Sequence, residues 1–210
     1  MEYPEKCNLC NKDKAISSLC GNIELKVRPI KGSNPSIFLI GQDPTIERGE
    51  ATAVLNLDKP KLPLYKFIFN EILKPLGLDL NDIYATNLVK CTFPNNQTPN
   101  KLAKKTKSSI INVIKPFFYN CNSWLESELK EIQPKLIISF GEPVHTLLVK
   151  KYNLDISEKM KECFSKVYPI KLLDMNVCYA PCVHVITKNR QKYYNKMWNE
   201  FINNLIKAVI

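Results

Sequence analysis

Three polar residues stand at the ends of short apolar runs, where they could serve one ligand together. In Ser36-Ile37-Phe38-Leu39-Ile40-Gly41-Gln42-Asp43-Pro44-Thr45 a carboxylate and a rigid turn follow directly on a β-forming stretch. Ile83-Tyr84-Ala85-Thr86-Asn87-Leu88-Val89 carries an amide inside a run otherwise made for burial, which is costly unless that amide is paired. Asn176-Val177-Cys178-Tyr179-Ala180 is followed by Pro181-Cys182-Val183-His184, with an imidazole just past the run. Asp43, Asn87 and His184 thus offer a carboxylate, a paired donor and acceptor, and a titratable ring. Plainer readings stand beside this one. Asp-Pro also simply makes a turn, and Asn87 can be a satisfied core amide.

The remaining chemistry-bearing residues are cysteines. The chain holds eight, with Cys7-Asn8-Leu9-Cys10 as a CxxC pair and Cys20 soon after. Such a pair directs two thiolates at one centre and suits zinc or an iron–sulfur cluster, while two more ligands must come from elsewhere. In a chain with no export signal, thiols read better as metal ligands and buried groups than as disulfides.

The elements that position these residues alternate. Ile37–Ile40 reads as a strand buried on both faces. Leu64, Phe67, Ile68, Ile72 and Leu76 are spaced for the buried side of a helix that Pro75 and Gly77 end. After the second strand come the turn-rich Asn95–Asn100 and a Lys cluster at 101, 104, 105 and 107. Residues 108–132 read as mostly helical with a break near Pro116. Pro134–Gly141 reads as a third strand, and 143–151 as a helix with Pro near its start and His145 in a structural or surface place. The fourth strand at 176–180 leads to a closing helix with Tyr194, Met197, Trp198, Phe201, Leu205 and Ile206 on one side. Strands and helices in this order predict an α/β, three-layer α/β/α sandwich around a mainly parallel four-stranded sheet, one domain over 1–210. Ligands of such sheets bind at the strands' carboxyl ends, where Asp43, Asn87 and His184 would meet.

The 210 residues carry a formal net charge of +10. That favours a polyanionic partner. Arg occurs only at 28, 48 and 190, so Lys supplies most of the charge, a bias that an AT-rich genome also produces. Met1–Glu5 has neither a basic nor an apolar region, and no apolar run approaches a bilayer span, so an intracellular protein without a membrane partner is expected. No obligatory protein partner is evident, and a monomer is expected.

These residues resemble the uracil-DNA glycosylase superfamily over nearly the whole chain, and family 4, the iron–sulfur group, in layout. The family 4 motif Gly-Glu-Ala-Pro-Gly lies where Gly41-Gln42-Asp43-Pro44-Thr45 lies here, in a form more similar to the Gly-Gln-Asp-Pro of family 1. Ile83–Cys91 resembles the strand that contains Asn and ends Lys-Cys. Asn95–Pro99, Pro134–Gly141 and Pro181–His184 resemble the motifs that follow, the last with the family's catalytic His. The resemblance implies hydrolysis of the N-glycosidic bond of flipped-out uracil in DNA. It makes Asp43 and His184 catalytic and puts Gly41, Gln42, Leu55 and Asn87 around the base. Lys188 and Arg190 would meet DNA phosphates. It also implies a 4Fe-4S cluster on Cys7, Cys10, Cys91 and Cys121, with residues 1–30 as a metal-ligand segment and 101–120 as a basic insertion.

Several positions depart from the family. Leu55 stands where family 4 stacks an aromatic ring on uracil, and Val185-Ile186-Thr187 replaces the usual Pro and small polar residue after the His. The interval from Cys91 to Cys121 is longer than the family's, so Cys20 is a rival ligand and zinc on Cys7, Cys10 and Cys20 the rival metal. A non-catalytic DNA-binding module of the same fold and an unrelated zinc-stabilised nucleotide-binding protein are the competing classes. Against the last, only six Gly are present and none forms a phosphate-cradling motif.

Overall fold

The computed structural model describes residues 9–12, 27–44, 53–93 and 98–209. In chain order these form helix α1 (Leu9–Lys12), β1 (Ile30–Lys31), β2 (Ile37–Gly41) and a 3-10 turn at Val54–Asn56. Helix α2 (Pro63–Ile68) continues through a π turn (Phe69–Leu73) and a 3-10 turn (Lys74–Leu76), and stops at Gly77 in the left-handed conformation, φ 70°. Then come β3 (Ile83–Asn87), α3 (Pro99–Thr106), α4 (Ile110–Ile132) and β4 (Leu136–Phe140). After α5 (Glu142–Tyr152) and α6 (Met160–Cys163), β5 (Tyr168–Leu172) and β6 (Met175–Cys182) form a hairpin, and α7 (Val185–Arg190), α8 (Lys192–Lys196) and α9 (Trp198–Val209) close the chain.

The strands make one sheet in the order β1-β3-β2-β4-β6-β5. β3, β2, β4 and β6 run parallel, as expected, but the sheet has six strands rather than four. β1 and β5 add antiparallel edges. Both edges hide from pattern reading for physical reasons. β1 is two residues long, and β5 contains Pro169, which an edge tolerates because its missing N–H would face outward. The turn between β5 and β6 puts Leu173 and Asp174 at φ 49° and 66°, a tight hairpin geometry usually announced by Asn-Gly.

Both faces of the sheet are covered. Ile37, Leu39, Ile83, Ala85, Leu136, Ile138 and Ala180 pack with Phe67, Ile72, Trp198, Phe201 and Leu205 on one side. Phe38, Ile40, Tyr84, Ile137, Val177 and Tyr179 pack with Ile114, Phe117, Leu125, Val144 and Leu148 on the other. All five residues of each of β2, β3 and β4 are buried, which is why they read as unbroken apolar runs rather than alternations.

Helix α4 runs unbroken through Pro116, against the expected break. An interior Pro costs about 3 kcal/mol. Val113, Ile114, Phe117 and Phe118 around it are all buried, and each such side chain returns about 1.5–3 kcal/mol. Packing therefore wins.

His145 is structural. It is wholly buried, and its Nε2–H donates to the Ser157 carbonyl at 2.8 Å, since that oxygen can only accept. Nδ1 must then accept from the Tyr179 hydroxyl at 2.9 Å, which in turn accepts from Ser139 Oγ at 2.7 Å. Burial lowers the imidazole pKa, so the folded state holds the ring neutral while the unfolded chain protonates it near pH 6.5. Stability from this site is present above about pH 6.5 and is lost as pH falls. Urea unfolding between about pH 6.5 and 5 should show this loss, and His145→Gln should be less stable at pH 7 by about 1–3 kcal/mol with a flatter slope.

Candidate active site

The chain passes from β2 to β3 on one side and then to β4 on the other, so the strand order reverses beside β2. Open parallel sheets leave a crevice at such a point, outside the strands' carboxyl ends. Gly41 closes β2 opposite Asn87, which closes β3. Backbone bonds from Leu88 N–H to the Gly41 carbonyl (2.9 Å) and from Val89 N–H to the Gln42 carbonyl (3.0 Å) stitch the two exits together. His184 lies two residues past the end of β6, and β4 separates β6 from β2. Two interstrand steps make about 10 Å.

Three of the expected base-facing residues meet at one point. A Cβ on Gly41 would collide with Asn87 Oδ1 and would stand 2.7 Å from Leu55 Cδ2. Leu55 is held at φ 55°, ψ 20° and Asn56 also at φ 55°, a conformation costing a non-glycine residue about 1–2 kcal/mol. Asn87 is only 3 % exposed, and its side-chain amide has no hydrogen-bond partner among the described residues. A buried amide in that condition costs stability unless a ligand completes it.

The other expected residues flank this point. Gln42 Nε2 donates to Asp43 Oδ1 at 2.6 Å, orienting a half-buried carboxylate. His184 caps α7: its Nδ1 accepts from the Ile186 N–H at 3.3 Å, which leaves the ring proton on Nε2. The imidazole is thereby set as an Nε2–H donor. Arg190 is exposed in the last turn of α7. Lys188 is not available for phosphate as expected, because its Nζ pairs with Glu71 at 2.6 Å and lies 4.8 Å from the Trp198 ring centroid. It pins the His184-bearing helix to the π turn after α2. Asn95–Gln97 and Thr45–Thr52 lie outside the described residues.

One group escaped the pattern reading. Lys90 Nζ donates to Thr86 Oγ1 at 2.6 Å and to Glu128 Oε2 at 2.7 Å, and Thr86 Oγ1 donates to Glu128 Oε1 at 3.2 Å. Both charged side chains are almost fully enclosed, at 2 % and 1 % exposure. Burial pushes the Glu128 carboxyl up and the Lys90 ammonium down. The hydrogen bonds between them hold in either the ionic or the neutral form. The signal was present: Glu128 falls on the apolar stripe of α4 with Phe117, Cys121 and Leu125.

Cys10, Cys91 and Cys121 are buried on the α4 side of the sheet. Asn120 Nδ2 reaches Cys10 Sγ at 3.5 Å, and Cys121 is near enough to Lys90 to favour its charged form. These three thiols come from separate segments, Cys121 from α4 itself. Among the described residues, however, no three His, Cys, Asp or Glu side chains stand together within reach of one ion. Cys7 and Cys20 lie outside the described residues.

Residues 29–204 match the model of a family described as the uracil DNA glycosylase superfamily. The chain is 29 % identical over 117 residues to the type-4 uracil-DNA glycosylase of Saccharolobus solfataricus, covering 56 % of this chain and 46 % of that one. It is 25 % identical over 125 residues to the type-5 enzyme of Pyrobaculum aerophilum, covering 55 % and 49 %. With that organism's type-4 enzyme the figures are 26 % over 141 residues, 67 % and 58 %. The chain spans about half the length of the curated relatives it matches. Among the described residues no helix is long and apolar enough to cross a membrane.

Removing one partner of the buried pair should be far worse than removing both. Glu128→Ala should lose about 3–5 kcal/mol in urea unfolding, and Lys90→Met with Glu128→Leu should regain most of it. Gly41→Ala should cost about 1–3 kcal/mol by overpacking against Asn87 and Leu55, read as a lower urea midpoint at unchanged slope.

Proposed function

Because the chain belongs to the uracil-DNA glycosylase superfamily, we propose that it hydrolyses the N-glycosidic bond of uracil in DNA and leaves an abasic site. The observation that carries this reading is the buried amide of Asn87 at the exit of β3, pressed against Gly41 and without a hydrogen-bond partner among the described residues. Such an amide offers a donor to the 4-oxo group of uracil and an acceptor to its ring N–H. Cytosine presents the opposite pattern there and would leave both groups unpaired. The nucleotide must leave the stack to reach this depth.

His184, with its proton on Nε2, donates to the 2-oxo group as negative charge grows on the departing base. Asp43, oriented by Gln42, holds the attacking water and offsets positive charge on the sugar. Leu55 packs on the base as an aliphatic surface in place of a ring. Arg190 meets a backbone phosphate.

Cys7, Cys10, Cys91 and Cys121 would hold a 4Fe-4S cluster. The burial of the last three supports this, and thiolate donors suit iron–sulfur ligation. The group's part would be to tie the N-terminal segment to the core.

A labelled oligonucleotide with one uracil, incubated and then treated with alkali, tests the activity. Wild type should cleave, and Asp43→Asn and His184→Ala should each lose on the order of 10²–10³-fold in kcat/KM. No cleavage despite DNA binding would sink the enzymatic reading and leave a binding module. Independently, anaerobically purified protein should carry on the order of four iron per chain with broad visible absorbance, and Cys121→Ser should lose both. Colourless protein containing zinc would overturn the cluster.

A further inference from the structure

Between Asp82 and Glu126 the chain contains no Asp or Glu, whereas Lys90, Lys101, Lys104, Lys105, Lys107 and Lys115 all fall there. Lys90 is buried against Glu128, and the other five are exposed. Four of them belong to α3 and its cap, which packs against α4 at the end of the sheet where the candidate site opens. The fifth, Lys115, stands on the outer side of α4 beside Tyr119.

Tyr119 is 47 % exposed, unusual for a large ring in this molecule. Lys115 Nζ lies 5.8 Å from its ring centroid, and Lys151 Nζ, contributed by α5, lies 5.2 Å from it. Each ammonium is attracted to the ring face, yet the two repel each other. Neither has a carboxylate partner among the described residues, although the neighbouring Lys150 is paired with Glu158. Asn112, Lys115, Pro116 and Tyr119 line a shallow depression. The first carboxylate further along α4, Glu126, is engaged by Asn122. Two cations gathered on one exposed ring, with no anion supplied by the described residues, make a place for an anion from outside.

We propose that this face is a second DNA contact, in which Lys115 and Lys151, held by Tyr119, grip the phosphates of a single strand leaving the candidate site. The choice of DNA rests on the function proposed above. Tyr119 is nine residues into α4, about 14 Å from its start by helical rise. A strand passing the α3 lysines at the rim therefore reaches the clamp several nucleotides away from the reacting one. The contact carries no sequence information and adds affinity that falls with salt.

The test is fluorescence anisotropy with a labelled, uracil-free single-stranded oligonucleotide of about 20 nucleotides, titrated with the full chain at several salt concentrations. Lys115→Gln with Lys151→Gln should weaken binding about 5–20-fold at low salt and flatten the log–log salt slope by about 1.4, the release expected for two phosphates on a single strand. Tyr119→Ala should weaken binding several-fold and Tyr119→Phe should match wild type, because the ring face is kept. Excision from an oligonucleotide of about five nucleotides should be unchanged in all three variants, while KM rises on the long substrate. A wild-type salt slope in the double variant, or equal losses in Tyr119→Ala and Tyr119→Phe, would overturn the clamp. The binding substrate contains no uracil, so absence of excision by wild type would overturn only the enzymatic reading.

Discussion

A side chain at position 41 would displace both Asn87 and Leu55. A single carbon added to Gly41 would strike the Asn87 amide and press on Leu55, so the last residue of the central strand must be glycine for the neighbouring strand's amide to sit where it does. The rest of the rim follows from that approach. Backbone bonds join Gly41 and Gln42 to Leu88 and Val89, which brings Asp43 and Asn87 to the same mouth. Leu55 closes the third side at the expense of a left-handed backbone, a kind of strain that persists only where the surroundings hold it in place.

Around this mouth the structure spends buried polar groups as braces. Lys90, Thr86 and Glu128 tie the exit of β3 to α4 on one side of the sheet. Lys188 and Glu71 tie the His184-bearing helix to the segment after α2 on the other. His145, Tyr179 and Ser139 join α5 to β6 and β4 beneath. The first and third braces each link a strand that feeds the site to the helix packed on it, and the second links two helical segments. An isolated buried charge or amide would be expensive. Paired, it specifies one arrangement where apolar packing alone would tolerate several.

The parallel inner sheet and the order of the elements were legible because buried parallel strands are short, mostly apolar runs, and Asp43, Asn87 and His184 were singled out as polar residues at or just past the ends of those runs. The edge strands were not legible. Pro169 and a Leu-Asp turn contradict the usual local signals, and pairing with an already formed sheet decides them instead. The continuity of α4 through Pro116 was misread for the same reason: the cost of proline is local, and the burial that outweighs it is not.

By itself, the sequence determined which residue types could do chemistry and at which strand ends they stand, since periodicity and the polar interruption of apolar runs are properties of the chain. Only the tertiary structure decided how each was used. Nothing in the sequence marks Lys188 or Lys90 as paired, yet the fold gives both a carboxylate from distant segments, at Glu71 and Glu128. Lys115 and Lys151 look no different, yet the fold gathers them on one exposed ring without a counter-charge among the described residues. A side chain's charge is written in the sequence, but its partner, burial and orientation arise from contacts between residues far apart along it.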